Sequence, residues 1–197
     1  MGELNSRQLQ AIETRKRIAD AALDLFKEQP YEQVKISEIC KRANISIGNF
    51  YHYFKSKEAI VVDAYNAIDN DIITLYHTKY FESPTEAILW LNTSAATIIA
   101  SLGVYFTPNC YRQLFIDDLI YTISPERTWN KELIHLLYEA DKVGELIDTN
   151  LDNLSSNISK VARGNIFDWC IKKGSVDLVT CWTTDVRNIL SMYLKAS

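Results

Sequence analysis

The sequence contains little glycine or proline, with 6 Gly and 4 Pro in 197 residues. An all-β fold of many short strands, or a chain with long loops, requires more of these turn-forming residues. We therefore expect an all-α protein, and the length is sufficient for one or two domains with a substantial core.

Closely spaced cysteines are also missing. The four cysteines, Cys40, Cys110, Cys170 and Cys181, form no Cys-x-x-Cys pair, and no basic segment followed by an apolar one stands at the start of the sequence. We therefore expect a reduced, cytoplasmic protein.

The sequence lacks the common motifs of catalysis. There is no Gly-rich phosphate loop, no His-Glu-x-x-His and no Gly-x-Ser-x-Gly, and the three histidines lie in unrelated places. Glu145 and Asp148 could pair as carboxylates, but a solvated turn beside Gly144 explains them better. His135 and Cys110 are possible metal or haem ligands, yet neither has a further ligand at suitable spacing. We expect neither an enzyme nor a bound metal or cofactor.

One uncharged segment, residues 87–111, is long enough to cross a bilayer. Its polar residues are a heavy load for a lipid environment: Asn92, Thr93, Ser94, Thr97, Ser101, Pro108 and Asn109. We therefore interpret the segment as a buried helix of a soluble bundle, and we expect no membrane association.

The net charge of −4 is unevenly distributed along the chain. Residues 1–60 contain 10 Lys and Arg against 8 Asp and Glu, whereas residues 61–197 contain 11 against 17. The first part is therefore slightly basic and the second part acidic. A nucleic-acid contact in the first part would depend on placed side chains and on dimerisation more than on bulk attraction.

Residues 36–60 carry the pattern of a helix-turn-helix. The apolar stripe of a short supporting helix is formed by Ile36, Ile39, Cys40 and Ala43. Asn44 tolerates a left-handed backbone and favours a tight turn after this helix. Ser46 can cap a second helix that starts near Ile47.

The second helix is predicted to have one buried face and one DNA-reading face. Phe50 and Phe54 lie four residues apart on the buried face. The other faces carry small, amide, phenolic or imidazole side chains, namely Gly48, Asn49, Tyr51, His52 and Tyr53. Asn can pair with an adenine edge, Tyr and His can bond a phosphate or a base, and glycine lets the backbone approach DNA.

This turn and the ending that follows it resemble the TetR-type bacterial transcriptional repressors. The matching residues of the ending are Tyr51, Tyr53, Phe54 and Lys57. The resemblance implies that the second helix lies in the major groove, with Tyr51 and Lys57 on phosphates. It also places three residues near bases: Ile47, Asn49 and His52.

The sequence departs from the family pattern at two positions. Asn44 stands where the family often has Gly, and Lys35 stands where it often has Thr. The Lys35 side chain could contact a phosphate but could not cap the supporting helix. The predicted DNA-binding residues are Lys35, Ser46, Ile47, Gly48, Asn49, Tyr51, His52, Tyr53 and Lys57.

The DNA-binding domain is predicted to comprise residues 9–55 and three helices. Its first helix is expected from about Leu9 to Glu28, after a mobile tail of residues 1–8. Three adjacent cations near the start of this helix are the expected additional phosphate contacts, although they cannot all face DNA: Arg15, Lys16 and Arg17.

Residues 56–197 are predicted to form a helical bundle that binds a ligand and dimerises. A long connector helix from Ser56 to about Tyr80 is expected to lead into it, so the chain would have about nine helices. Ser83 and Pro84 have the chemistry of a helix start. Ser175 is expected to cap the last helix, from Val176 to about Leu194.

Aromatic residues concentrate between residues 90 and 138, as in a cavity for a small apolar or aromatic effector. Ordinary core packing explains any single one of them equally well. The predicted effector-binding residues are Trp90, Phe106, Tyr111, Phe115, Tyr121, Trp129, His135 and Tyr138.

The last two predicted helices have broad apolar faces, which suggests a two-fold copy of the same helix pair as the partner. The sequence ARGNIFDWCIKKGSVDL resembles the C-terminal segment of some TetR-type repressors, where the last two helices form a four-helix dimer interface. The predicted interface residues are Phe167, Trp169, Trp182, Val186, Ile189 and Tyr193.

We therefore expect a ligand-responsive transcriptional regulator, most simply a repressor. As a dimer it would bind a pseudo-palindromic DNA operator and be released by a small apolar effector. The alternative is a soluble helical protein that binds a hydrophobic ligand or haem and has no DNA role.

Overall fold

The computed structural model describes residues 5–104, 107–108 and 127–195. Within these ranges the regular structure is helical, apart from an isolated antiparallel bridge between Leu146 and Leu194. This confirms the all-α fold. The chain divides into two compact units, unit 1 at Met1–Asn66 and unit 2 at Ala67–Ser197.

The described part of the chain contains eight α-helices. In chain order they are α1 (Ser6–Glu28), α2 (Ile36–Ala43), α3 (Ile47–Tyr53), α4 (Lys57–Tyr76), α5 (Pro84–Leu102), α6 (Thr128–Lys142), α7 (Leu151–Ile171) and α8 (Leu178–Ser191). A 3-10 turn at Tyr31–Gln33 precedes α2. Ser124 and Pro125, whose residue types favour a helix start, lie outside the described residues.

Helix α1 begins earlier than the sequence predicts. The Asn5 side chain accepts a hydrogen bond from the main-chain N–H of Gln8 (2.9 Å), and the Gln8 side chain accepts one from Asn5 (2.9 Å). This reciprocal capping box satisfies two free N–H groups at the helix end. Residues 6–8 are therefore helical, and their assignment to a tail was wrong.

The core of unit 1 is built where α1 packs against α2 and α2 packs against α3. Its fully buried large side chains include Ile18, Phe26, Ile39, Phe50, Phe54 and Ile60. Aromatic rings pack along this core. The ring centres of Phe26 and Tyr31 lie 4.9 Å apart, and those of Phe50 and Phe54 lie 6.1 Å apart. The small helices α2 and α3 are thus fixed by apolar packing on one face each.

Helix α4 contributes residues to both units. Four of its apolar residues are buried, namely Ile60, Val61, Ile68 and Ile72. The helix ends at Tyr76, four residues before the predicted end at Tyr80, and the Thr78 hydroxyl donates to the Leu75 carbonyl (2.7 Å) at this terminus.

Four helices of unit 2 form a closed ring of contacts. Helix α5 packs against α6 and α8, and α7 packs against the same two helices. Ser83 caps α5 by accepting from the Glu86 N–H (3.1 Å), with Pro84 at the first position, as the sequence predicts. Between α5 and α8, the buried Trp182 donates from Nε1 to the Asn92 side-chain oxygen (3.0 Å).

The last helix starts two residues later than predicted. Asp177, not Ser175, is its cap, and its carboxylate accepts from the N–H groups of Val179 (3.0 Å) and Thr180 (3.3 Å). Hydrogen bonds from the Thr180 side chain and main chain lower the pKa of Asp177. Gly174 before it has a φ of 75°, the left-handed conformation that commonly follows the end of a helix.

Glu145 has a structural role in the turn that follows α6. Its carboxylate accepts from the main-chain N–H of Thr85 (3.1 Å) and from the Thr85 hydroxyl, at the start of α5. Its carbonyl accepts from the main-chain N–H of Lys195 (2.9 Å), beside the bridge of Leu146 with Leu194.

Across the described helices, none has the length and apolar character needed to span a membrane.

Candidate DNA-binding interface

The turn between α2 and α3 has the predicted geometry. Asn44 is left-handed, with φ 53° and ψ 54°, and the N–H of Ile45 donates to the Cys40 carbonyl (3.0 Å). Ser46 then caps α3 by accepting from the N–H of Asn49 (3.1 Å). The sequence thus fixes the start of α3 relative to the end of α2 through local hydrogen bonds.

Helix α3 divides sharply into a buried and an exposed face. Phe50 is its one buried residue and has no exposed surface, and Phe54 directly after the helix is 1% exposed. Ile47 and Tyr51 are 52% and 53% exposed although both are large and partly apolar. The exposed set of predicted DNA-contacting residues in and beside α3 consists of Ser46, Ile47, Gly48, Asn49, Tyr51 and His52, while Tyr53 is half-buried.

Packing within unit 1 does not require a glycine at position 48. A Cβ placed on Gly48 would approach no neighbour closer than the Ser46 hydroxyl at 4.0 Å, an ordinary contact distance. Glycine also destabilises a helix by roughly 0.5–1 kcal/mol relative to alanine. The open space in front of this position is suited to a close approach of the helix backbone to another surface.

Lys35 begins α2 without providing a side-chain cap. The Glu38 carboxylate supplies half of a capping box instead, because it accepts from the main-chain N–H of Lys35 (2.8 Å). The Lys35 side chain is exposed. This arrangement explains how α2 starts at a position where the sequence offers no Ser or Thr.

Lys57, a predicted phosphate contact, is engaged inside unit 1. Its Nζ donates to the main-chain carbonyls of Tyr31 (2.7 Å) and Val34 (3.1 Å), and it lies 4.2 Å from the centre of the Tyr31 ring. An ammonium group has three donors, so one N–H remains for another acceptor. A phosphate contact by Lys57 stays a prediction, and this remaining N–H would be the group that makes it.

The next residue of α4 is tied to the same loop. The Tyr31 hydroxyl donates to the Glu58 carboxylate (2.9 Å). Burial raises the pKa of Glu58, but hydrogen bonds from Ser56, from its own main chain and from Tyr31 outweigh burial, and its pKa is lowered. The ionised carboxylate therefore matches the donors around it.

Two of the three cations on α1 are also hydrogen-bonded within unit 1. The guanidinium of Arg15 donates to the Tyr53 carbonyl (2.6 Å) and to the Asp63 carboxylate (2.7 Å). Arg17 donates to the carbonyl of Ala43 (3.1 Å), the last residue of α2. Lys16 is exposed. Arg15 and Arg17 therefore bind the C-terminal ends of α3 and α2, an internal role that the sequence did not predict.

The predicted effector-binding residues that the structure describes differ in exposure. Trp129 is buried, whereas His135 and Tyr138 are exposed. Trp90 is half-buried and packs with two rings that the prediction missed, at 6.3 Å from Tyr76 and 5.6 Å from Phe81. The remaining predicted residues lie outside the described ranges, namely Phe106, Tyr111, Phe115 and Tyr121.

One cavity in unit 2 is polar and not aromatic. It has a volume of about 370 Å³ and lies between α6 and α7. Its lining residues are Asn130, Ile134, Asp152, Ser155, Ser156, Ser159 and Arg163. In the described parts of the chain, no group of three or more His, Cys, Asp or Glu side chains could hold a metal ion.

A buried ion pair is another feature of unit 2 that the sequence pattern did not reveal. Arg127 donates from two nitrogens to the two carboxylate oxygens of Asp69, each at 2.7 Å. Asp69 has no exposed surface. The pair joins the second half of α4 to the start of α6.

The six predicted dimer-interface residues differ in exposure. Trp169, Trp182 and Val186 are buried within unit 2 itself, because α7 and α8 pack against each other and α8 packs against α5. Ile189 and Tyr193 are half-buried. Phe167 is 60% exposed, and Ile171, one turn further along α7, is 62% exposed.

Comparison with known proteins supports the identity of unit 1. A family model described as bacterial regulatory proteins, tetR family, matches residues 18–64. Residues 18–64 therefore carry the sequence pattern of that family's DNA-binding part. The match covers α2 and α3 completely, together with the second half of α1 and the start of α4.

Curated relatives match the chain over a limited length. The A-factor receptor protein of Streptomyces griseus is 44% identical over 55 residues, 28% of this chain and 20% of the receptor. The HTH-type transcriptional regulator UidR of Escherichia coli is 40% identical over 58 residues, 29% of this chain and 30% of UidR. The alignments thus span less than a third of these relatives.

A solved structure extends the comparison of the fold. Thermus thermophilus FadR, a TetR-family transcriptional repressor in complex with lauroyl-CoA, superposes with a TM-score of 0.67 at 19% identity. The superposition covers 93% of this chain and 97% of that structure. At this identity, the likeness shows a shared fold for both units.

Proposed function

We propose that the protein is a dimeric, ligand-responsive transcriptional repressor that reads a pseudo-palindromic operator with α3. The observation that carries the proposal is the exposed face of α3, where large and polar side chains stand beside a glycine that the fold does not require. A short helix held by Phe50 and capped by Ser46 presents this face to solvent. Such a helix fits the major groove, which admits one α-helix.

Gly48 provides a test that separates DNA binding from folding. Gly48→Ala adds one methyl group to the exposed face and should leave stability unchanged or raise it by about 0.5–1 kcal/mol, because alanine favours the helix. The same methyl group would stand between the helix backbone and DNA. We expect operator affinity to fall by about tenfold or more while the protein unfolds at the same or a higher temperature.

Fluorescence anisotropy with the DNA upstream of the protein's own gene measures this effect. Tyr51→Ala is the second variant, since Tyr51 is exposed and its loss leaves the core intact. A repressor loses salt-dependent, sequence-preferring binding in both variants. Operator affinities equal to that of the wild type in both would refute a reading role for α3, and the alternative of a ligand-binding protein without a DNA role predicts that result.

The proposed effector is a small apolar or aromatic molecule bound in unit 2. The lauroyl-CoA in the FadR structure supports a ligand with a large apolar part. Trp129 supports one polar contact between the protein and the effector, because its buried Nε1 has no hydrogen-bond acceptor among the described residues. An effector oxygen accepting this hydrogen bond would remove the cost of a buried unpaired donor.

A thermal-shift screen with acyl-CoA and aromatic compounds tests the effector proposal. A true effector raises the melting temperature because it binds the folded protein. It also weakens operator binding, because the coupling free energy between effector and DNA is unfavourable. Trp129→Phe should reduce its thermal shift. A compound that binds tightly and leaves DNA affinity unchanged would not be an effector.

The proposed dimer forms through the outer surfaces of α7 and α8. Phe167 and Ile171 lie four residues apart on α7 and expose most of their apolar surface, which supports a helix-pair interface. Phe167→Glu should dissociate the dimer in sedimentation experiments while leaving the helical circular dichroism signal unchanged. A wild-type protein that sediments as a monomer at micromolar concentration would contradict the proposal.

A transcriptional repressor of this kind would act in the cytoplasm.

A further inference from the structure

Arg15 joins three separate elements of unit 1. Its guanidinium donates from Nη1 to the carbonyl of Tyr53 at 2.6 Å and from Nε to the carboxylate of Asp63 at 2.7 Å. Its Cζ also lies 4.3 Å from the centre of the Phe54 ring. The side chain therefore connects α1 with the end of α3 and with the first half of α4.

The chemistry of these contacts fits a positioning role. Tyr53 is the last residue of α3, where main-chain carbonyls have no partner within the helix and carry partial negative charge. The planar guanidinium of Arg15 can bind one such carbonyl, pair with a carboxylate and stack on a ring at the same time. A lysine cannot make these three contacts together.

We propose that Arg15 and Asp63 form a positioning pair that holds the end of α3 in the orientation required for specific DNA binding. This inference rests on the proposed function of α3 as a DNA reader. The side chains of Arg15 and Asp63 are 44% and 33% exposed, so such an ion pair contributes little to overall stability. Its effect lies in the preorganisation of α3 before DNA is bound.

The inference makes a prediction opposite to that of simple electrostatics. Asp63→Asn removes a negative charge from the DNA-binding unit, which should strengthen attraction to DNA phosphates. It also frees the Arg15 cation to contact a phosphate. If Asp63 positions α3 through Arg15, the same variant weakens specific binding despite the more favourable charge.

The experiment measures affinity for an operator selected in vitro from random DNA and for a scrambled duplex of the same length. Asp20→Asn is the matched control, because it makes the same charge change at an exposed position of α1. We expect Asp63→Asn to bind the operator about three- to tenfold more weakly than Asp20→Asn, a loss of about 0.7–1.4 kcal/mol. Asp63→Asn should bind the scrambled duplex at least as tightly as Asp20→Asn does.

The scrambled duplex distinguishes positioning from loss of the fold or of a phosphate contact. A misfolded unit 1, or a lost phosphate contact, would weaken both duplexes together. Arg15→Gln gives a second measurement, since a phosphate contact by Arg15 would reduce the slope of log affinity against log salt by about 0.9 per protomer. We expect Arg15→Gln to lose specificity with an unchanged slope.

Three results would overturn the inference. The first is Asp63→Asn binding the operator as tightly as Asp20→Asn, the second is equal weakening on both duplexes, and the third is a reduced salt slope in Arg15→Gln. If the selection enriches no sequence with the wild-type protein, the proposed function itself fails and the inference fails with it. Selective binding by the wild type separates these two kinds of failure.

Discussion

The buried ion pair between Asp69 and Arg127 provides a quantitative test of the structure of unit 2. Asp69 is fully buried, Arg127 has a side-chain exposure of 14%, and two hydrogen bonds of 2.7 Å join them. Asp69→Asn keeps the shape of the side chain but places an amide beside the guanidinium. Because this removes the carboxylate that neutralises the largely buried Arg127 guanidinium, we expect a loss of about 3–5 kcal/mol in the free energy of unfolding.

The size of this loss distinguishes a buried pair from a surface pair. An exposed ion pair contributes about 0–1 kcal/mol. Asp71→Asn is the matched control, since Asp71 is an exposed residue of the same helix, and it should change stability by less than about 0.5 kcal/mol. In thermal unfolding, the Asp69→Asn loss corresponds to roughly 10 °C or more for a unit of this size.

Urea unfolding followed by circular dichroism measures both variants at one fixed protein concentration, because the proposed dimerisation would make stability concentration-dependent. The double variant Asp69→Leu with Arg127→Met and its two single variants form a double-mutant cycle. The double variant should be more stable than Asp69→Asn, because it buries no charged side chain at these two positions. A loss below 1 kcal/mol in Asp69→Asn would refute the buried pair as described.

Three further predictions concern local structure. Asn44→Gly should leave the free energy of unfolding in urea unchanged or raise it slightly. Asn44→Val should lower it by about 1–2 kcal/mol, because residue 44 has a left-handed backbone. Equal stabilities of the two variants would contradict that backbone conformation. Trp182→Phe removes the donor to the buried Asn92 and should cost about 1–3 kcal/mol in the same assay, and a neutral result would mean that the bond is absent. The pKa of Asp177 is lowered from its ordinary value of 3.8 in the folded state, so its cap stabilises the protein above that value and loses this effect as the pH falls below it. The stability difference between wild type and Asp177→Ala should therefore shrink between pH 6 and pH 3. A difference independent of pH would exclude the carboxylate cap.

Local turn chemistry was the part of the structure that the sequence predicted best. The left-handed Asn44, the Ser46 cap and the Ser83 cap each depend on residues within a few positions of one another. Such features need no tertiary information. Where two capping residues compete, as Ser175 and Asp177 do before α8, the local pattern allowed either, and the prediction chose the wrong one.

The roles of charged residues could not be predicted in the same way. Arg15 lies 38 residues from Tyr53 and 48 residues from Asp63, and Lys57 lies 26 residues from Tyr31. A run of cations in a sequence indicates charge, but tertiary packing decides which donors face inward. The same holds for Asp69, whose partner is 58 residues away.

Apolar periodicity predicted which helices have wide apolar faces but not what covers them. Trp169 and Trp182 were expected at a partner surface, whereas α5, α7 and α8 bury them inside unit 2. Phe167, from the same segment, is exposed. A stripe of large side chains indicates that burial is required, and only the arrangement of neighbouring helices shows which residues remain outside.

Selection of random-sequence DNA by the wild-type protein tests the central claim most directly. A dimer that carries one α3 per protomer should enrich an inverted repeat whose half-sites lie one helical turn apart or slightly more. The enrichment should disappear in Gly48→Ala and persist in Asp20→Asn. If the wild-type protein enriched no sequence at physiological salt, or if Gly48→Ala enriched the same repeat equally well, the exposed face of α3 would not be a DNA reader.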